Sequence, residues 1–257
     1  MGLLQDYVVI VTGSASGIGY ATSSAALSEG ARVFGVDISP PPSVLSDHPN
    51  FRSFQGDLTN DSTAKEVVAA CTQAFGNRID GLLNVAGVLD NFSSVDGVTD
   101  QVWNKCLAVN LTAPVKLMRA VIPIMRAQKH GSIVNVSSKA GLSGAAAGVA
   151  YTASKHGLIG ATKNVAWRFK DENIRCNAVC PGGVATNFGR EIDRDSLDME
   201  AFETMKPIQL AHMPDFMSKG PSITPEEVAR VLIFLVSSHS GRLNGAIIPV
   251  DDAWSTI

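Results

Sequence analysis

Short strand-like runs recur at 7–11, 32–36, 51–55, 81–85, 132–136, 175–179 and 246–250, and stretches with helical periodicity separate several of them, at 18–28, 63–75, 100–108 and 115–128. This alternation constrains the fold more than any other feature. Strands joined through helices cross over right-handedly and pair in parallel. Runs such as Val8-Val9-Ile10-Val11 and Ser132-Ile133-Val134-Asn135-Val136 carry apolar side chains on both faces, so each face needs a helix layer. The expected fold is α/β: a single doubly wound parallel sheet of about seven strands with helices on both faces. It is expected to occupy residues 1–257 as one domain, a length at which a large core can be buried.

One segment breaks the rhythm. Residues 186–223 follow the sixth strand and carry Phe188, Ile192, Leu197, Met199, Phe202, Met205, Leu210, Met213, Phe216 and Met217. Long insertions in compact domains are often functional, and this one is too apolar for an idle loop. A small helical lid over an apolar substrate is expected there.

Between the first strand and the first helix, residues 12–19 read Thr-Gly-Ser-Ala-Ser-Gly-Ile-Gly. Gly13 permits a tight turn. Ser16, Gly17, Ile18 and Gly19 open the helix, whose free N–H groups and partial positive charge suit a pyrophosphate. The sheet is then Rossmann-like. Asp37 ends the second strand 18 residues after Gly19, near the spacing of the acid that binds the adenosine ribose hydroxyls. A carboxylate accepts from a 2′-OH and repels a 2′-phosphate. Ser14, Ala15, Ser16, Ile38 and Ser39 supply no cation to offset that repulsion, so NAD is the expected cofactor, with Ile38 beside its adenosine end.

With Tyr-Thr-Ala-Ser-Lys at 151–155, the chain resembles the short-chain dehydrogenase/reductase family over nearly its whole length. The turn at 12–19 is similar to the family's TGxxxGxG. The resemblance implies that Asp57, followed by Leu58, lies at the adenine end of the cofactor, and that Asn84, Ala86 and Gly87 line the cofactor groove after the fourth strand. It implies a structural and relay role for Asn110 and a catalytic role for Ser138, 13 residues before Tyr151. Pro181, Gly182, Val184 and Thr186 match the element that contacts the nicotinamide carboxamide, and Lys155 would also bind the nicotinamide ribose. A homotetramer or homodimer is implied as well. Two departures stand out: Val85 replaces the second Asn of Asn-Asn-Ala-Gly, and Val250-Asp251-Asp252-Ala253 replaces Val-Asp-Gly-Gly. The second puts the local turn near the chain end in doubt.

The chemistry is consistent with that pattern. Hydride transfer to a carbonyl leaves an alkoxide that needs a proton. Tyrosine, with an unperturbed pKa near ~10, must be lowered by roughly 2–3 units to exchange that proton readily. Lys155 is at i+4 from Tyr151, on the same helical face, and a cation there favours the phenolate. Ser138 follows the fifth strand at the carboxyl edge of the sheet, where its hydroxyl can hold the substrate oxygen.

Other classes find less support. A net charge of −3 and no basic stripe argue against a nucleic-acid partner. Cys71, Cys106, Cys176 and Cys180 lack a metal-ligand spacing and read as reduced core thiols. The run at 7–11 starts too early for a secretory leader, and the strongly apolar run at 231–236 is far below the ~18 residues of a membrane span. The expectation is a cytoplasmic NAD-dependent oxidoreductase, without metal or membrane, acting on a secondary alcohol or ketone of a hydrophobic cyclic metabolite (a terpenoid, steroid or polyketide-like molecule). The alternatives are epimerisation or dehydration through a transient ketone, and a non-catalytic NAD-binding scaffold.

Overall fold

A computed structural model describes residues 2–189, 192, 194–212 and 223–256. Its strands are β1 (Val8–Thr12), β2 (Arg32–Asp37), β3 (Phe51–Gln55), β4 (Gly81–Asn84), β5 (Gly131–Val136), β6 (Ile174–Pro181) and β7 (Ile247–Val250). They form one parallel sheet in the order β3-β2-β1-β4-β5-β6-β7. The seven runs expected from the sequence are these strands, with ends shifted by one or two residues.

Side chains alternate between two helix layers, as the pleat requires. Val8 and Ile10 of β1 face one core, with α3 (Thr63–Phe75) and α5 (Ala113–Gln128) supplying Val67, Cys71, Leu117, Val121 and Met125. Val9 and Val11 face the other, against Ala26 and Leu27 of α1 (Gly17–Ser28) and Val228, Leu232 and Val236 of the helix at Pro225–Val236. Each fully buried branched aliphatic side chain stabilises the fold by about 1.5–3 kcal/mol. The remaining helices are α2 (Ser43–Ser46), α4 (Asp100–Leu107), α6 (Val149–Arg168) and α7 (Met199–His212), which makes Pro225–Val236 α8.

The two helices expected at 100–108 and 115–128 are one continuous helix. A π-helical turn, Ala108–Thr112, joins α4 to α5 and holds Asn110. Pro114 follows closely on this turn, inside the continuous helix, where its missing N–H coincides with the change of hydrogen-bonding pattern. By length and composition the helix from Asp100 to Gln128 could cross a bilayer, which the short apolar run at 231–236 did not suggest. Its apolar side chains Leu117, Val121 and Met125 are instead in the core.

The segment expected to form a lid contains α7. Among its residues, Met205 is buried and Phe202 packs on Phe92 with ring centroids 5.1 Å apart. Met213, Phe216 and Met217 lie outside the described residues. At the chain end the replaced glycines keep glycine-like backbone: Asp252 has φ +50° and Ala253 φ +68°.

Candidate active site

The chain reverses direction across the sheet between β1 and β4, and the loops after these strands frame a crevice at their carboxyl ends. Ligands bind open α/β sheets at such a switch point. Gly13 takes φ +70° and comes so close to Ala86 that an added methyl would meet its Cα at 3.0 Å. Gly17, with φ +51°, lies against Thr186 in the same way, at 3.2 Å. A methyl on Gly19 would collide with the Gly13 carbonyl. The turn at 12–19, the Ala86-Gly87 loop and the 181–186 segment therefore converge. The Thr12 hydroxyl pins the first two, accepting from Val85 N at 2.9 Å and Ala86 N at 3.0 Å. At the other end Pro181 pairs with Val250, Gly182 N donates to the Val250 carbonyl, and Val184 bridges to Ile223.

These features fit a dinucleotide. The first turn of α1 has no side-chain cap at Ser16, which leaves its amides available to a phosphate. Ile18 packs its side chain against the core beside them. Asp37 accepts from Ala15 N and from Ser39 N, both at 2.9 Å, so its carboxylate is fixed beside the turn. Ile38 next to it is 63% exposed. Asp57 is exposed and accepts from the amide and hydroxyl of Thr59, each at 2.8 Å. Two expected groove residues point elsewhere. Leu58 packs its side chain into the core, and Asn84 is buried with its amide donating to Asn135 at 2.8 Å. Any contact Leu58 makes with a groove ligand is thus through backbone.

Tyr151 and Lys155 share one face of α6, and both are almost fully buried. Ser138 stands beside the Tyr151 phenol, where its side chain favours the ionised form. Ser138 lies two residues beyond β5 in extended backbone, and its Oγ accepts from Ala140 N at 3.1 Å. Lys155 Nζ donates to the Val136 carbonyl at 2.9 Å. Gly87 closes the set: a methyl there would stand 3.2 Å from Asn110 Oδ1 and 3.5 Å from Lys155 Nζ.

Asn110 is fully enclosed. Its amide donates to the Val88 carbonyl at 2.9 Å and to Ser154 Oγ at 3.1 Å, and its Oδ1 accepts from Val88 N at 2.9 Å. It clamps the π-helical turn to the loop after β4. These partners are structural, and Lys155 is not among them.

The electrostatics depart from the expectation that Lys155 lowers the phenol. Burial raises the Tyr151 phenol above its usual value, and the Ser138 side chain only partly opposes this. Burial also brings the Lys155 ammonium down to about 8. In the protein alone, desolvation dominates at both groups because they are enclosed together.

The wall near the phenol is apolar. Tyr151 packs with Ala140 and Ala147, and with Leu89 and Ala146 beside them. Phe188 lies 6.1 Å from the Tyr151 ring, centroid to centroid, and is 48% exposed. Sequence reasoning missed Thr12 as a tie and Asp90 as a partner of α6. The first adjoins the glycine motif, and the second has no local pattern because its partners are backbone groups far along the chain.

An enzyme built this way is an oxidoreductase that works with a nicotinamide dinucleotide. A family model for short chain dehydrogenases matches residues 7–197, and the chain belongs to that family. It is 84% identical over the full length of both chains to a short-chain dehydrogenase/reductase, cdmF, of Talaromyces verruculosus. It is 64% identical, again over 100% of both chains, to asnovolin H dehydrogenase nvfC of Aspergillus novofumigatus. The crystal structure of levodione reductase superimposes with a TM-score of 0.85 at 29% identity, covering 98% of this chain and 99% of the other.

Proposed function

We propose that this oxidoreductase interconverts a secondary alcohol and a ketone on a hydrophobic cyclic small molecule, with NAD(H) as its cofactor and Tyr151 as general acid and base. The observation that carries this reading is the buried Tyr151–Lys155 face of α6, with the ammonium 5.4 Å from the ring centre and Gly87 and Ser138 beside it at the carboxyl edge of the sheet.

A bound nicotinamide dinucleotide supplies or accepts the hydride and, when oxidised, adds positive charge near the phenol. Ser138 donates to the substrate oxygen and holds it next to Tyr151. In reduction the Tyr151 hydroxyl gives its proton to the oxygen as negative charge develops there; in oxidation the phenolate takes that proton from the alcohol. Lys155, as an ammonium, stabilises the phenolate and orients the ribose. Asn110 keeps the helix carrying these groups against the loop at Val88. Pro181, Gly182, Val184 and Thr186 serve the carboxamide end, and Asp37, Ile38 and Asp57 the adenosine end.

The fixed carboxylate of Asp37, with no cation at 14–16 or 38–39, supports NAD over NADP. The apolar wall of Leu89, Ala140, Ala146, Ala147 and Phe188 supports a hydrophobic substrate. The relatives named asnovolin H dehydrogenase and levodione reductase support a small-molecule alcohol or ketone. Segment 186–223 acts as the lid, all of 1–257 forms one catalytic domain, and the protein works in the cytoplasm as a homodimer or homotetramer. Purified protein is offered NADH or NADPH with 2-decalone, steroid ketones and keto-sugars, followed at 340 nm. Turnover of the cyclic apolar ketones with NADH is expected. Turnover confined to small polar sugars, or a lower Kd for NADPH than for NADH, overturns the reading.

A further inference from the structure

Helix α6 begins at Gly148, which has no side chain with which to satisfy the first amides of the helix. A carboxylate 58 residues earlier takes that place. Asp90 Oδ1 accepts from Gly148 N at 3.1 Å and from Phe92 N at 3.2 Å, and Oδ2 accepts from Tyr151 N at 2.8 Å. The side chain is 2% exposed. Burial pushes its carboxyl up, while the donating backbone amides favour the anion. An anion at this point also complements the positive end of the α6 dipole.

Two features show that the contact is specific. Gly148 has φ −69°, which any residue adopts, yet a methyl there would stand 2.5 Å from Asp90 Oδ2 and 2.7 Å from the Phe92 carbonyl carbon. The glycine is required by the approach of Asp90, not by its own backbone. Phe92 in turn takes φ +68°, an uncommon conformation for a bulky side chain, which persists where surrounding contacts hold it. The same loop reaches the other way. Asn91 donates to the Ser196 carbonyl and accepts from Asp198 N, each at 2.9 Å, and Phe92 packs on Phe202 of α7.

We propose that Asp90 is a positioning residue for Tyr151: it fixes the first turn of α6, and so the phenol, from a loop that also grips the segment at 196–202. The proposal rests on the reading of Tyr151 as the proton-transfer residue. One end of the loop holds the backbone amide of Tyr151, and the other holds the start of α7. The loop thus ties the start of α7 to the seat of the phenol.

The test compares Asp90→Ala, Asp90→Asn and Gly148→Ala with the wild type and with Tyr151→Phe. Amide hydrogen exchange is followed on the NAD-bound protein, and kcat and KM are measured for NADH and 2-decalone. In Asp90→Ala and Gly148→Ala, exchange at 148–151 is expected to accelerate at least about tenfold while residues 158–166 keep their protection. The kcat is expected to fall at least about tenfold with KM for NADH changed less than twofold. Asp90→Asn keeps the size and one acceptor, and falls between them and the wild type. Should Asp90→Ala not fold, Gly148→Ala and Asp90→Asn carry the test. Wild-type exchange at 148–151 in the folded variants overturns the proposal, as does faster exchange with unchanged kcat. Wild-type turnover by Tyr151→Phe overturns the catalytic reading instead, and the exchange comparison then decides the brace alone.

Discussion

The Lys155 ammonium lies 5.4 Å from the centre of the Tyr151 ring, with both side chains enclosed by the same walls. A buried cation and a buried phenol each resist ionisation, which gives the protein without cofactor a distinct pH profile. Lys155 is lowered from 10.5 to about 8, so between those values the unfolded chain holds more protons and stability rises with pH. The four buried thiols act oppositely: each is raised from 9.0 to about 11 or 12, so stability falls as pH climbs above 9. The raised Tyr151 phenol adds to that fall above pH 10. The two effects nearly cancel from pH 8 to 9, so urea unfolding is compared between the wild type and Lys155→Met, which keeps the thiols. Over that interval the wild type is expected to gain roughly 1 kcal/mol relative to the variant. An identical profile in that variant contradicts the assignment.

Gly19 separates the phosphate turn from a generic loop. Because its missing side chain is what lets α1 approach the Gly13 carbonyl, Gly19→Ala is expected to displace the turn. NADH affinity, followed by fluorescence titration, is expected to fall at least about 100-fold, a loss of roughly 2.7 kcal/mol. Unchanged affinity would show that the cofactor binds elsewhere.

Cofactor choice is tested at Asp37 and Ile38. Replacing the carboxylate and adding a cation, as Asp37→Ser with Ile38→Arg, is expected to shift the NADPH-to-NADH ratio of kcat/KM by at least about tenfold. Asp37 also fixes Ala15 N, so some loss with both cofactors accompanies the shift. An unchanged ratio would remove Asp37 from the adenosine end.

Ala253 holds a left-handed backbone, φ +68°, a conformation that favours glycine. That conformation costs an L-residue roughly 1–2 kcal/mol. Ala253→Gly relieves it against the greater freedom of glycine in the unfolded chain, for a net gain of about 1 kcal/mol in urea unfolding. A loss of stability would show that the methyl packs usefully.

Most of the sheet was legible in the sequence because its strands are apolar on both faces and its turns are marked by Gly13, Gly17 and Gly19. The shared face of Tyr151 and Lys155 was legible too, since they are one helical turn apart. What escaped depends on contacts distant in the chain. The π-helical turn at Asn110 has no periodicity of its own and is held by Val88, 22 residues away. Asn84 and Leu58 matched a motif or a spacing, but their side chains belong to the buried interior. The persistence of left-handed backbone at Asp252 and Ala253 was likewise invisible, because sequence marks such positions only when glycine fills them. The direction of the Tyr151 shift depends on burial, which no spacing reveals.

The most direct measurement is the turnover of Tyr151→Phe, which removes one oxygen from the site and leaves the packing of the ring. Reduction of 2-decalone by NADH is expected to fall by about 10²–10⁴-fold, while the Kd for NADH stays within twofold of the wild type. Wild-type turnover in a variant that binds NADH normally would contradict the role assigned to Tyr151.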